Sequence, residues 1–244
     1  MLRELPRPLV NVPAISARQM QEVERLMAAE YGLDALQVME LAGRHLAHLG
    51  RLLFLKGRAD GKAVVVLAGN SGKGGGAMAA ARRLHQWGAT VRLVLSHEIE
   101  EYAGIVGTQL QRLQRQGVII VEPPAVGGNL ILDGLMGLHG QGDPIGRISD
   151  LIDWANRQLT PVLSLELPAG LDAETGQPQH PCMRASATLA LALPKAGILK
   201  EVCRAMVGEV FLGDLAVPPA LYGAPGLEMK VGPIFSESDI VRLR

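Results

Sequence analysis

Three short segments hold the residue types that could do chemistry. The first is Gly69-Asn70-Ser71-Gly72-Lys73-Gly74-Gly75-Gly76-Ala77, a glycine-rich run around a single lysine. Such a run lets backbone amides approach a ligand closely, and a helix N-terminus behind it favours phosphate. Gly72, Gly74 and Ala77 fit G-x-G-x-x-A, with Glu98 spaced to meet a ribose hydroxyl. A Walker A loop is excluded, because Gly74 follows Lys73 where Ser or Thr is required. The plainer reading of the same run is a turn that lets a helix pack on its strand. The second segment is Asp133-Gly134-Leu135-Met136-Gly137-Leu138-His139-Gly140-Gln141-Gly142-Asp143, where a carboxylate closes an apolar run. A buried charge is costly unless paired, so Asp133 either holds a cation, a lysine or a ligand hydroxyl, or it caps a turn. The third, Ser164-Leu165-Glu166-Leu167-Pro168-Ala169-Gly170-Leu171-Asp172, again ends an apolar run in an acid. Two such carboxylates facing one crevice suit acid/base work or cation binding.

Other chemistries are poorly supported. The six histidines give no metal spacing, and the i, i+3 pair His45 and His48 reads as two solvent-facing helix residues. Twenty-four Lys and Arg against twenty-four Asp and Glu leave no net charge to grip nucleic acid or an anionic membrane. Two Trp, three Tyr and three Phe are too few for a base-stacking platform. Cys182 and Cys203 are too few and too separated for a metal cluster or a disulfide framework, which points to a reducing, cytoplasmic location. Glu4, Pro6 and Pro8 stand where a signal peptide needs an unbroken apolar core, and no apolar run approaches a membrane span.

The elements that must position these loops follow from periodicity. Ser16-Ala17-Arg18-Gln19 has capping-box spacing and starts a helix whose apolar face is Met20, Val23 and Met27. Gly32 ends it, and Asp34-Ala35-Leu36-Gln37 can cap a second helix carrying Leu36, Met39, Gly43, Leu46 and Leu53. From Lys62 the pattern changes. Val64 to Leu67 is wholly apolar and β-branched, the mark of a strand covered on both faces. Runs at 91–95, 118–121, 130–132, 162–165, 188–193 and 210–212 repeat it, with helical segments predicted at 74–87, 98–116 and 146–158. The expectation is one domain over 1–244, a three-layer, doubly wound, mostly parallel Rossmann-like α/β sandwich (58–244) behind a two-helix extension (1–57). In such a sheet the ligand crevice lies beyond the carboxyl ends of the strands, where all three loops fall.

Taken in order, these segments resemble the YjeF N-terminal domain family, the NAD(P)H-hydrate epimerases. Val38-Met39-Glu40-Leu41-Ala42-Gly43-Arg44 looks like the family's Leu-Met-Glu-Asn-Ala-Gly segment, and the loop from Gly69 looks like its Gly-x-Gly-Asn-Asn-Gly-Gly-Asp-Gly loop. Asp133 to Gly137 looks like Asp-Ala-Leu-Phe-Gly, and Ser164 to Gly176 like Ser-Val-Asp-Ile-Pro-Ser-Gly-Leu-Asp ending in Thr-Gly. Lys195-Ala196-Gly197 and Gly208-Glu209-Val210 fit two further family positions. The resemblance implies interconversion of the R and S forms of hydrated NADH and NADPH at C6, so that a stereospecific dehydratase can repair them. It implies substrate along Gly72, Lys73, Gly74, Gly75 and Gly76, along Gly137, Leu138, His139, Gly140, Gln141, Gly142 and Asp143, and at Glu166, with Glu166 as acid/base and Asp133 as electrostatic anchor. It further implies potassium at Asp133, no tightly bound organic cofactor, a homodimer through the N-terminal helices, and a separate dehydratase acting in trans.

The chain departs from the family at these same positions. Gly72 and Lys73 stand for the two Asn, Gly76 for the loop Asp, Glu166 for the crevice Asp, Ala169 for the potassium Ser and Leu41 for the Asn after Glu40. Two oxygen ligands are lost and a fixed positive charge has arrived, so the Lys73 ammonium is expected to stand beside Asp133 in place of the ion. The alternative is that Lys73 is a flexible loop charge. The rival functions are a catalytically degenerate nucleotide-binding or protein-interaction module of the same fold, and an ordinary Rossmann dehydrogenase.

Overall fold

A computed structural model describes residues 5–138, 140 and 142–244. Its centre is the apolar run at 64–67, which forms β1 (Ala63–Ala68), buried in all but its first residue. Alternate side chains of β1 enter different cores. Val64, Val66 and Ala68 pack in one cluster, and Val65 and Leu67 in a second. A period of two thus makes three layers.

Seven further strands follow: β2 (Thr90–Leu95), β3 (Ile119–Ile120), β4 (Leu130–Gly134), β5 (Val162–Leu165), β6 (Ala187–Leu191), β7 (Glu209–Gly213) and β8 (Ile240–Arg242). They form one sheet in the order β3-β2-β1-β4-β5-β6-β7-β8. Every pairing is parallel except β7 with β8. The edge strand β8 lies outside the predicted set, since three residues are too short to carry a period.

The helices are α1 (Ala17–Tyr31), α2 (Ala35–Leu53), α3 (Gly72–Gln86), α4 (Gly104–Gln114), α5 (Gly146–Asn156), α6 (Arg204–Val207) and α7 (Pro219–Tyr222). Both predicted capping boxes form. Ser16 Oγ accepts from the Gln19 amide at 3.1 Å, and Asp34 Oδ1 from the Gln37 amide at 2.9 Å. The helix predicted at 98–116 is broken instead. Tyr102 leaves it to donate its hydroxyl to the Ala68 carbonyl at 2.6 Å, so a 3-10 turn (Ile99–Glu101) precedes α4. Glu98 caps that turn in an exposed position.

The α2 helix lies against α3 so closely that side chains must vanish at the crossing. A Cβ on Gly43 would stand 2.5 Å from the Ala79 Cβ and 2.7 Å from the Gly76 carbonyl oxygen. Beside this contact Glu40 accepts from Arg82, from Gln109 at 3.0 Å and from Arg112 at 3.1 Å, tying α2 to α3 and α4. The other side of α2 meets the segment after β7. That corrects the solvent-facing reading of His45, which is buried with its Nε2 2.8 Å from the Asp214 carbonyl oxygen. Burial pushes its pKa down, opposed by that hydrogen bond. His48 is half-buried beside Arg51. Among the described residues no helix is long and apolar enough to cross a membrane.

The α2 and α3 contact generates a direct expectation. Gly43→Ala should lower unfolding stability by about 1–3 kcal/mol through overpacking, read as a lower urea midpoint with an unchanged slope. An unchanged midpoint would contradict the close approach.

Candidate functional site

The sheet order reverses direction between β1 and β4, and a crevice opens there at the strands' carboxyl ends. The α3 helix starts almost directly from β1. It can do so because Gly74 has no side chain: a Cβ there would fall 1.8 Å from the Gly69 carbonyl oxygen. This early start draws Lys73, the second residue of the helix, into the protein.

Lys73 and Asp133 both have wholly buried side chains, and Lys73 Nζ lies 3.1 Å from Asp133 Oδ2. The ammonium also donates to the Leu167 carbonyl oxygen at 2.8 Å. The same carboxylate oxygen accepts from Ser164 Oγ at 2.8 Å and the Ala169 amide at 2.9 Å, while Oδ1 accepts from the Leu135 amide at 3.1 Å. Burial pushes the Lys73 pKa down, and the Asp133 charge opposes it. Neither charge is left without partners, which is the condition under which a buried pair is tolerated.

Glu166 follows β5 in a left-handed conformation, φ +67°, with its amide donating to the Leu189 carbonyl oxygen at 2.6 Å. A non-glycine residue held there marks a backbone that its surroundings over-determine. Its Oε1 lies 3.0 Å from Nζ of Lys195, whose side chain is wholly buried. The Lys195 ammonium also donates to the Leu191 and Leu193 carbonyl oxygens at 3.3 and 3.4 Å. Backbone pairing with Ile15, in the lead-in to α1, fixes the lysine's own chain.

Above these groups lies a cavity of about 220 Å³ with apolar walls from Val38, Met39 and Leu165. Gly72, Lys73, Gly137, Leu138 and Glu166 reach it, and so does Glu24 from α1. Glu24 is exposed at the cavity's edge; partial desolvation raises its carboxyl pKa, the Glu166 charge adds to this, and Lys195 opposes it.

The sequence-predicted site residues are therefore divided. Gly74, Gly75 and Gly76 are buried inside α3 against Gly69, Met39 and Leu165. Asp133 lies beneath the cavity without lining it. Gly140 and Gly142 are exposed, and Asp143 accepts from the His180 amide at 2.9 Å. His139 and Gln141 lie outside the described residues. Glu24 and Lys195 escaped sequence reasoning as site residues. Lys195 carried a signal in its Lys-Ala-Gly match, and Glu24 carried none. Among the described residues no group of three or more His, Cys, Asp or Glu could hold a metal.

Fold and site together define a Rossmann-like α/β protein with a small charged cavity at its topological switch point. Residues 35–197 match the family described as YjeF-related protein N-terminus, and the chain belongs to that family. It is 37% identical to an NAD(P)H-hydrate epimerase of Dehalogenimonas lykanthroporepellens over 95% of this chain and 93% of that one. It is 36% identical to an NAD(P)H-hydrate epimerase of Truepera radiovictrix over 90% and 97% of the two chains. The crystal structure of yeast ynu0, YNL200c, shares the fold with a TM-score of 0.78 at 20% identity, covering 95% of this chain and 100% of that one.

Two expectations follow from the buried charges. Lys73→Met should cost about 3–5 kcal/mol in chemical denaturation, because it strands the Asp133 carboxylate; a loss within error of zero would contradict the pairing. Burial, with the Asp133 charge adding and Lys73 opposing, pushes the Cys182 thiol up to about 12. Cys182 and the equally buried Cys203 should resist thiol reagents at pH 8 until the protein is unfolded.

Proposed function

We propose that this chain interconverts the R and S forms of hydrated NADH and NADPH, an isomerase of metabolite repair. The reading is carried by one observation: a carboxylate held by a wholly buried ammonium, Glu166 with Lys195, on the floor of an apolar cavity at the switch point. The epimer centre C6 of the hydrated ring bears both a hydroxyl and the ring nitrogen. Inversion therefore needs the C–O bond to break and re-form on the other face, with a proton supplied and a proton removed. A cavity of about 220 Å³ suits a nicotinamide-sized ring, with ribose and phosphates directed outward past Gly72, Gly137 and Leu138. In this reading Glu166 accepts the proton of the incoming water.

Potassium, implied by the family resemblance, does not fit the donor set here. Asp133 Oδ2 already serves Lys73, Ser164 and Ala169, and the Leu167 carbonyl is taken by the same ammonium. A side-chain charge stands where a free ion would have to compete for these oxygens, so we propose a potassium-independent protein with no tightly bound organic cofactor. Homodimer formation, a cytoplasmic setting and a separate dehydratase acting in trans belong to the same proposal. Leu53 remains exposed on α2 as a contact for a second copy, while Phe54 and Leu55 turn toward the core.

Incubation of the R hydrates with the protein should yield the R and S mixture by chromatography, at the same rate in potassium and in tetramethylammonium chloride. Loss of turnover without potassium would refute the built-in cation. Glu166→Gln should slow inversion by roughly a hundredfold or more. A chain stabilised by the hydrates but unable to invert them would be a binding module instead.

A further inference from the structure

The cavity holds two carboxyls, and neither is Asp133. Asp133 is saturated by four donors and does not reach the space above it. The second carboxyl comes from far away in the chain, on α1. We infer that Glu24 is a further substrate-facing residue of this site, the proton donor to the departing C6 hydroxyl, working with Glu166 as the acceptor. The inference rests on the epimerase reading above and assigns the half of its chemistry that Glu166 cannot perform alone.

Two cations face the cavity or lie under it, and each is engaged: Lys73 with Asp133, and Lys195 with Glu166. Among the described residues no ion pair involves Glu24, although Glu22 on the same helix pairs with Arg25 at 2.7 Å. Glu24 therefore meets an apolar wall and the negative charge of Glu166, with only the already engaged Lys195 in its favour. Glu24 stands exposed at the cavity's edge, where partial desolvation and the Glu166 charge both raise its affinity for a proton, whereas Glu166 has an ammonium at contact distance. One carboxyl held by an ammonium and one without an ion pair, lining the same cavity, suit a base and an acid.

The step balances without a co-reactant other than water. The Glu24 carboxyl gives its proton to the C6 hydroxyl, and the C6–O bond breaks with its electron pair leaving on water. The ring nitrogen lone pair forms N1=C6. Water then adds to the opposite face, the N1=C6 pair returns to nitrogen, and Glu166 takes the proton released. Exchange with solvent returns Glu24 to its acid form and Glu166 to its base form.

The test is the pH profile of hydrate inversion for the full chain and four variants. The wild-type rate should fall at high pH as Glu24 loses its proton. In Glu24→Gln the rate should drop roughly a hundredfold or more and the high-pH fall should vanish. Glu24→Asp should keep that fall at a reduced rate. Glu166→Gln should drop the rate but keep the high-pH fall, and Glu22→Gln should match the wild type. An active wild type with a Glu24→Gln variant of equal rate and unchanged high-pH limb overturns the role of Glu24 alone. A wild type that leaves the hydrates uninverted overturns the epimerase reading and this assignment together.

Discussion

An ammonium and a carboxylate, both out of water and 3.1 Å apart, join three loops that would otherwise have no reason to meet. Lys73 comes from the start of α3, Asp133 from the end of β4, and their remaining partners, Ser164, Leu167 and Ala169, from the end of β5 and beyond. Desolvating two charges costs several kcal/mol each, and the pair persists only because neutral donors and a carbonyl complete it. The geometry leaves little freedom. The lysine stem fixes where α3 begins, the carboxylate fixes how the loop after β4 turns, and Ala169 reads its position from the same oxygen.

Using Asp133 in this way has a chemical consequence. A wholly buried carboxylate that accepts from four donors beneath the cavity has no access to a ligand. On the proposed reading, proton transfer falls to other groups, and the next strand end supplies Glu166. Its left-handed backbone turns the residue away from the β5 line, and Lys195 meets the side chain there. The longer side chain of glutamate than aspartate is compatible with this site because Lys195, fixed by its carbonyl contacts and by the pairing to Ile15, holds its far end. Two ion pairs therefore do different work, Lys73 and Asp133 shaping the floor and Lys195 and Glu166 presenting a charge to the cavity.

Most of the sheet was legible because β1, β4 and β5 are buried on both faces and must be apolar throughout. The caps of α1 and α2 were legible because Ser16 with Gln19 and Asp34 with Gln37 interact only within one turn. What escaped depends on distance along the chain. Tyr102 breaks a helix to reach Ala68, and His45 is buried by Asp214, neither of which local periodicity can register. Glu24 and Lys195 meet Glu166 only after α1 and the segment beyond β6 close over the end of β5, so the site's second half exists in topology alone. The glycine run had two readings, cradle and packing surface. Gly74 to Gly76 serve as the packing surface, while Gly72 and Lys73 reach the ligand space.

The charge balance of the cavity also bears on which ring it would accept. Lys73 with Asp133 and Lys195 with Glu166 are each neutral overall, and on the proposed route Glu24 carries its proton until the C–O bond breaks. Such a site has no surplus field to favour the cationic ring of an oxidised nicotinamide over the uncharged ring of a hydrate. On the proposed route the ring becomes cationic only as the C–O bond breaks, and at that moment Glu24 has just become an anion. Attraction absent in the ground state thus appears with the transition state, the condition under which binding energy raises a rate instead of merely tightening a complex. The walls from Val38, Met39 and Leu165 strengthen that attraction by excluding water from their side of the ring as well as by holding it.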